Sequence, residues 1–187
     1  INSSGGVSCR TFSGGMGTSS YAVSTNLGPS EDDRRSSHPY SGRFANQYIY
    51  SGNADDARWT RNLGFWFNFY GTNYNQVTVT SNGVVCMGSS CSSYYGNHAL
   101  PDSTFGAAIF PYFDDLRVYE LYDGINGSSG GRIYYLYFRG VTYSYGRAIN
   151  FVLMLHEGSN LINVHYYNNE HYYSQGAGAT IGLQRCG

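Results

Sequence analysis

The sequence predicts an all-β domain, an antiparallel sandwich or jelly roll closed by disulfides, and three observations predict it. No window sustains helical periodicity over three turns. Eight to ten short strand-like segments alternate with Gly, Asn and Ser turn signals. The 187 residues include 20 Tyr and 10 Phe beside 25 Gly and only 4 Pro, a composition that favours strands and the turns between them. One domain of this length buries a core without help from a metal or cofactor. With 12% charged and 17% aromatic residues, the chain has too little charge to stay disordered and too many rings to stay solvated.

The elements follow in order. Residues 1–45 are rich in Gly and Ser, with spaced apolar side chains at Val7, Phe12, Met16, Tyr21 and Val23, and then run through Glu31-Asp32-Asp33-Arg34-Arg35. They read as an extended arm and loop, or as a first strand with an irregular cover loop. The sandwich occupies 46–187. A short strand is predicted at Gln47–Tyr50, and a second at Leu63–Tyr70, an aromatic run too short for a typical helix. Gln76–Thr80 alternates strictly, with Val77 and Val79 on one face and Thr78 and Thr80 on the other. Ser81-Asn82-Gly83 then predicts a tight hairpin, Asn-Gly supplying positive φ angles, and Val84–Met87 returns. Pro111 inside Ala107–Phe113 makes that segment an edge strand or breaks it. Arg132–Phe138 is a Tyr-rich strand. Ala148–His156 places Ile149, Phe151, Leu153 and Leu155 on one face, Glu157–Asn160 turns the chain, and Ile162–Tyr166 runs back. Thr180–Gln184 closes the domain.

The four cysteines, Cys9, Cys86, Cys91 and Cys186, form no CxxC pair, which argues against a zinc ribbon or redox motif. Of the three connectivities, Cys9–Cys186 with Cys86–Cys91 is favoured; free buried thiols are the alternative. Disulfides imply an oxidising, extracellular compartment. The sequons at Asn2 and Asn126 are compatible with that as glycosylation sites. No signal-peptide pattern is visible, so a secreted chain reads here as its mature form, and no apolar run is long enough to span a bilayer. All eleven basic residues are Arg and net charge is −1, without a basic stripe, so no electrostatic footprint for nucleic acid exists.

Three segments carry a family resemblance. They are Leu63-Gly-Phe-Trp-Phe-Asn-Phe-Tyr-Gly71 with Tyr74 and Val77-Thr-Val-Thr-Ser-Asn-Gly83; Ala107-Ala-Ile-Phe-Pro-Tyr-Phe-Asp-Asp-Leu116; and Ile149-Asn-Phe-Val-Leu-Met-Leu-His-Glu-Gly158 followed by Leu161-Ile-Asn-Val-His-Tyr166. In order and spacing they resemble the nidogen-type extracellular domain of secreted adhesive and surface proteins, over about residues 63–184. The resemblance implies an extracellular β-sandwich serving matrix, adhesion or surface assembly. It implies no catalytic residues.

Among polar groups, Asp114-Asp115 is the most pointed pair. It reads as a Ca²⁺ ligand or sugar-hydroxyl acceptor, or more plainly as a carboxylate that accepts backbone N–H bonds or pairs with Arg117. His156, His165 and His171 with Glu157 and Glu170 invite a metal reading, but HExxH is absent; cross-strand neighbours, His156 facing His165, are the plainer account. GxSxG is also absent, and the chain reads as a non-enzyme without a metal. Adjacent tyrosines on a strand point to opposite faces, so at least one of each cluster at Tyr94-Tyr95, Tyr134-Tyr135-Tyr137, Tyr143-Tyr145, Tyr166-Tyr167 and Tyr172-Tyr173 is expected at the surface. Tyr94, Tyr95, Tyr143, Tyr145, Asp114 and Asp115 are therefore the binding residues. The expected function is that of a structural or adhesive protein that self-associates or binds matrix and surface proteins. The alternative is a glycan-binding lectin.

Overall fold

The computed structural model of the chain describes residues 47–167 and 178–185. Ten strands lie among them: β1 (Gln47–Ala54), β2 (Arg58–Phe69), β3 (Thr72–Thr80), β4 (Val85–Met87), β5 (Ala108–Phe113), β6 (Leu116–Asn126), β7 (Ile133–Thr142), β8 (Ala148–His156), β9 (Ile162–Tyr166) and β10 (Thr180–Gln184). They form two five-stranded antiparallel sheets, ordered β1-β6-β7-β8-β9 and β10-β5-β4-β3-β2. The predicted sandwich is the observed one. The arm expected at 1–45, Cys9, Cys186 and Asn2 lie outside the described residues.

Period-two alternation builds the core. Leu63, Phe65, Phe67 and Phe69 of β2, Val77 and Val79 of β3, Leu136 and Phe138 of β7 and Ile149, Phe151, Leu153 and Leu155 of β8 all turn inward. Phe138 stacks on Phe151 with centroids 4.6 Å apart. Each such side chain, fully withdrawn from water, contributes roughly 1.5–3 kcal/mol. The aromatic run in β2 is thus half core and half surface: Trp66, between Phe65 and Phe67, is exposed.

β5 corrects the sequence expectation. It is neither broken nor at an edge, because it pairs with β4 on one side and β10 on the other. Two steps along β10, from Thr180 to Gly182, match three along β5, from Phe113 to Phe110, so β5 carries a bulge around Pro111. A proline fits there because the ladder is interrupted. The extra residue switches the phase of the strand. Ile109 and Tyr112 enter the main core, while Ala108, Phe110 and Phe113 face the other way.

Those outward residues form a second small core beneath the segment joining β4 to β5. Val84, Cys86, Cys91, Phe105, Ala108, Phe110 and Phe113 are all buried there, with Phe105 edge-on to Phe113 at 4.9 Å. The predicted Cys86–Cys91 disulfide closes the root of this segment, Cα atoms 5.5 Å apart.

The other sheet also carries rings on its outer face. Tyr48, Tyr122 and Tyr137 stand opposite one another across β1, β6 and β7, with centroids 5.5 and 5.7 Å apart, and Tyr167 stacks on Tyr137 at 5.7 Å. Tyr135 and Tyr137 do point away from the main core, as alternation requires, yet both are buried with Val152 and Met154 in a cluster on that face. The expectation that at least one of Tyr134, Tyr135 and Tyr137 is exposed therefore fails, since all three are buried. Burial raises the pKa of the Tyr137 and Tyr167 phenols above the usual value.

Candidate functional site

Four turns meet at one end of the sandwich: β1–β2, β3–β4, β5–β6 and β7–β8. Backbone bonds join them. Ser81 N–H donates to the Ala57 carbonyl at 2.8 Å, and Tyr143 N–H donates to the Asp115 carbonyl at 2.8 Å. Asn82 sits at the centre, fully buried. Its Oδ1 accepts the Leu116 N–H at 3.0 Å, and its Nδ2 donates to Asp56 Oδ1 at 2.9 Å and to the Ser93 carbonyl at 3.0 Å. A buried amide with this many partners fixes each of them. The turn residue read from sequence as half of an Asn-Gly pair is thus a hub, and of the two only Gly83 takes positive φ, 72°.

The hub brings the sequence-predicted residues together. Ser93 precedes Tyr94 and Tyr95, whose rings stack 5.5 Å apart and stand 41% and 52% exposed. His98 lies 5.5 Å from the Tyr94 ring. Across Asn82, Leu116 follows Asp114-Asp115, and the Asp115 carbonyl holds the turn that carries Tyr143 and Tyr145, the latter 72% exposed. The Arg117 guanidinium lies 4.0 Å over the Tyr143 ring. Both predicted tyrosine pairs and both predicted aspartates therefore occupy one end.

Asp114 Oδ1 accepts the Asp115 N–H at 2.9 Å. Burial raises the Asp114 carboxyl above its usual range. Asp115 is raised too, first by burial and then by repulsion from Asp55 and Asp56, with Arg117 opposing. Among the described residues no group of three or more His, Cys, Asp and Glu side chains is placed to hold a metal ion.

The histidines do not converge. β9 sets His165 opposite Val152, while His156 lies at the hairpin tip with its Nε2 3.2 Å from Asn163 Nδ2. The expectation that His156 and His165 face each other fails because the register places them at different rungs of the β8–β9 ladder. His171, Glu170, Tyr172 and Tyr173 lie outside the described residues. Asn126 is exposed at the opposite end, where β6 finishes.

Sequence reasoning missed three anchors. Asp123, buried, accepts a fork from Arg61, Nε to Oδ2 at 2.7 Å and Nη2 to Oδ1 at 2.9 Å, and a bond from the Tyr134 hydroxyl at 3.0 Å, tying the two sheets together. Glu157 accepts from Gly130 N–H and Arg132 N–H at 2.8 and 3.1 Å and pairs with the Arg132 guanidinium. Gln184 Nε2 donates to the Asp102 and Gly106 carbonyls, each at 2.7 Å, while its Oε1 accepts the Asp102 N–H at 2.8 Å, stapling the β4–β5 segment to β10. Only polar residues isolated in apolar surroundings hint at such anchors in a sequence; their partners are remote.

A family model described as NIDO related matches residues 34–187. No curated protein and no solved structure matches the chain. Several residues of the motifs quoted above serve the scaffold: Asn82 and Gly83 seat the Asp-Asp-Leu turn, and Glu157 fixes Arg132 against Gly64. The exposed tyrosines at the turn end lie outside those motifs.

Proposed function

The chain belongs to the NIDO-related family, and from that premise we propose that it is an extracellular structural or adhesive domain that acts by binding through its tyrosine end rather than by catalysis. One observation carries the reading. Tyr94, Tyr95, Tyr143 and Tyr145 are all exposed, and all stand on segments whose backbones are bonded to a common hub at Asn82 or to its neighbours. Tyr presents a large, amphipathic contact surface with only two rotatable bonds, so fixing it beforehand lowers the entropy lost on binding. The disulfide and the family both suit an oxidising compartment outside the cell. Surfaces poor in Lys and Glu and rich in Tyr typify protein interfaces, and a second copy of the chain is one such partner.

The test is particle size. Light scattering after size exclusion should show assemblies larger than the monomer for the full chain. The quadruple variant Y94S/Y95S/Y143S/Y145S should run as a folded monomer by the same measurement with circular dichroism. A full chain that stays monomeric at every concentration would end the self-assembly reading.

A further inference from the structure

We infer that Tyr94, Tyr95 and His98, on the disulfide-rooted segment between β4 and β5, form a binding subsite for a neutral pyranose sugar. This deepens the binding role proposed above by naming a ligand class for half of the tyrosine end. Three features support it.

The first is shape. The two phenol rings stack at an interplanar angle of 27°, and the imidazole sits 5.5 Å from Tyr94, so three exposed rings gather in one row at the surface. The negative face of an aromatic ring attracts polarised C–H groups, which one face of a pyranose presents. His98 Nδ1 lies 3.3 Å from Asp102 Oδ2, and in the neutral tautomer that donates to Asp102 the other ring nitrogen, Nε2, accepts from a sugar hydroxyl.

The second feature is rigidity. Arg58 Nη1 donates to the Cys91 carbonyl at 2.9 Å, Asn82 to the Ser93 carbonyl at 3.0 Å, and the Thr180 hydroxyl to the His98 carbonyl at 2.7 Å. With the Cys86–Cys91 bond below and Gln184 gripping Asp102, the segment is anchored on both sides of the rings. Exposed rings gain little folding energy from such fixation. A ligand that stacks on them gains directly.

The third is charge. From Gly88 to Ala107 the sequence has no Lys, Arg or Glu, and its single Asp, Asp102, is buried and turned onto Thr104 and His98. The neighbouring turns set Asp55, Asp56, Asp114 and Asp115 against Arg58, Arg117 and Arg147, so the charges nearly balance and give no basic cluster to hold a sialylated or sulfated sugar. The chemistry selects a neutral sugar.

The experiment titrates the full chain with methyl glycosides of glucose, galactose and mannose and with N-acetylglucosamine, following the Tyr94, Tyr95 and His98 resonances by NMR. Sialyllactose and a heparin fragment form the anionic arm. At least one neutral sugar should shift these resonances saturably and independently of salt. Tyr95→Ala should weaken that sugar about tenfold and Tyr145→Ala less than about twofold. Unperturbed NMR spectra elsewhere in each variant confirm folding. No shift with any neutral sugar, equal binding by Y94A/Y95A, or binding only to anionic sugars would overturn the proposal. Assembly size is read separately, so loss of the sugar subsite with assemblies intact leaves the structural reading standing, and the converse outcome leaves the subsite standing.

Discussion

Arg132 grips Glu157 in a fork, Nε to Oε2 at 2.8 Å and Nη2 to Oε1 at 2.6 Å, while its remaining nitrogen, Nη1, donates across the sandwich to the Gly64 carbonyl at 2.7 Å. Gly64 stands in an irregular stretch of β2 where four residues, Leu63–Trp66, oppose a single residue of β3. The pair therefore pins the least regular part of the longest strand. Those bonds to Arg132, against the opposing effect of burial, hold the Glu157 carboxyl at about 2, with help from the Gly130 N–H. A carboxyl depressed in the folded state stabilises it above the ordinary value of 4.5, and that contribution fades as pH falls towards 2. Glu157→Gln should lower the melting temperature at neutral pH, and the gap from the parent should close between those two values. A gap that stays constant down to pH 2 would refute this account.

Asp123 is held by Arg61 and Tyr134 in the interior, so removing it takes the forked carboxylate away from a part-buried guanidinium and from the Tyr134 hydroxyl. Asp123→Ala should cost about 3 kcal/mol in urea unfolding, and the double variant R61M/D123L should recover much of that, because both members of the ion pair are replaced by apolar groups. Equal losses in both would show that the cost is packing alone.

Asp115 is raised by burial and by its acidic neighbours, the opposite of Glu157. A carboxyl raised in the folded state destabilises it at neutral pH, and the penalty is relieved as pH falls through the folded value. Asp115→Asn should therefore melt higher than the parent at pH 7, with the advantage shrinking in acid. A variant less stable at pH 7 would mean that the carboxylate has a partner worth more than the repulsion.

Gly83 has φ of 72°, and a Cβ built there would lie 2.0 Å from the Tyr112 carbonyl oxygen. Neither the left-handed backbone nor the close approach tolerates a side chain. Gly83→Ala should lose at least about 2 kcal/mol, measured by denaturant unfolding. Gly106→Ala is the control, since its φ is also positive but nothing lies within 4 Å of the added atom.

The Cys86–Cys91 bond closes a short ring, a sequence separation of 5, worth about 2 kcal/mol on loop entropy. C86S/C91S should keep the main sandwich folded. Hydrogen exchange should quicken across residues 88–107, over the small core. Uniform quickening throughout the domain would show that the two cores unfold together.

Much of this was legible from the sequence, for identifiable reasons. β8 shows clean alternation because one face of Ala148–His156 meets the core along its whole length, and its predicted bounds match. β6 was missed entirely. A register shift between Val118 and Glu120 changes the phase from Leu116 and Val118 to Leu121, and the segment ends in Asp-Gly-Ile-Asn, which reads as a loop. Tyr94, Tyr95, Tyr143 and Tyr145 were correctly placed at the surface, since Gly, Ser and Asn surround them. Tyr135 and Tyr137 were not, because strand alternation gives direction but not what lies over a sheet face. Asn82 looked like a turn residue, and its bonds to Ser93 and Leu116 span 11 and 34 positions, distances over which a linear pattern carries no signal.

β1 starts at Gln47 and β10 finishes at Gln184, and the pairing of Gln184 with Ala108, where β5 starts, sets both at the end away from the clasped turns. The sandwich thus has a polarity: its first strand starts and its last strand finishes at one end, and the exposed tyrosines stand at the other. Force drawn through β1 and β10 would therefore load the sandwich from the end opposite the exposed tyrosines.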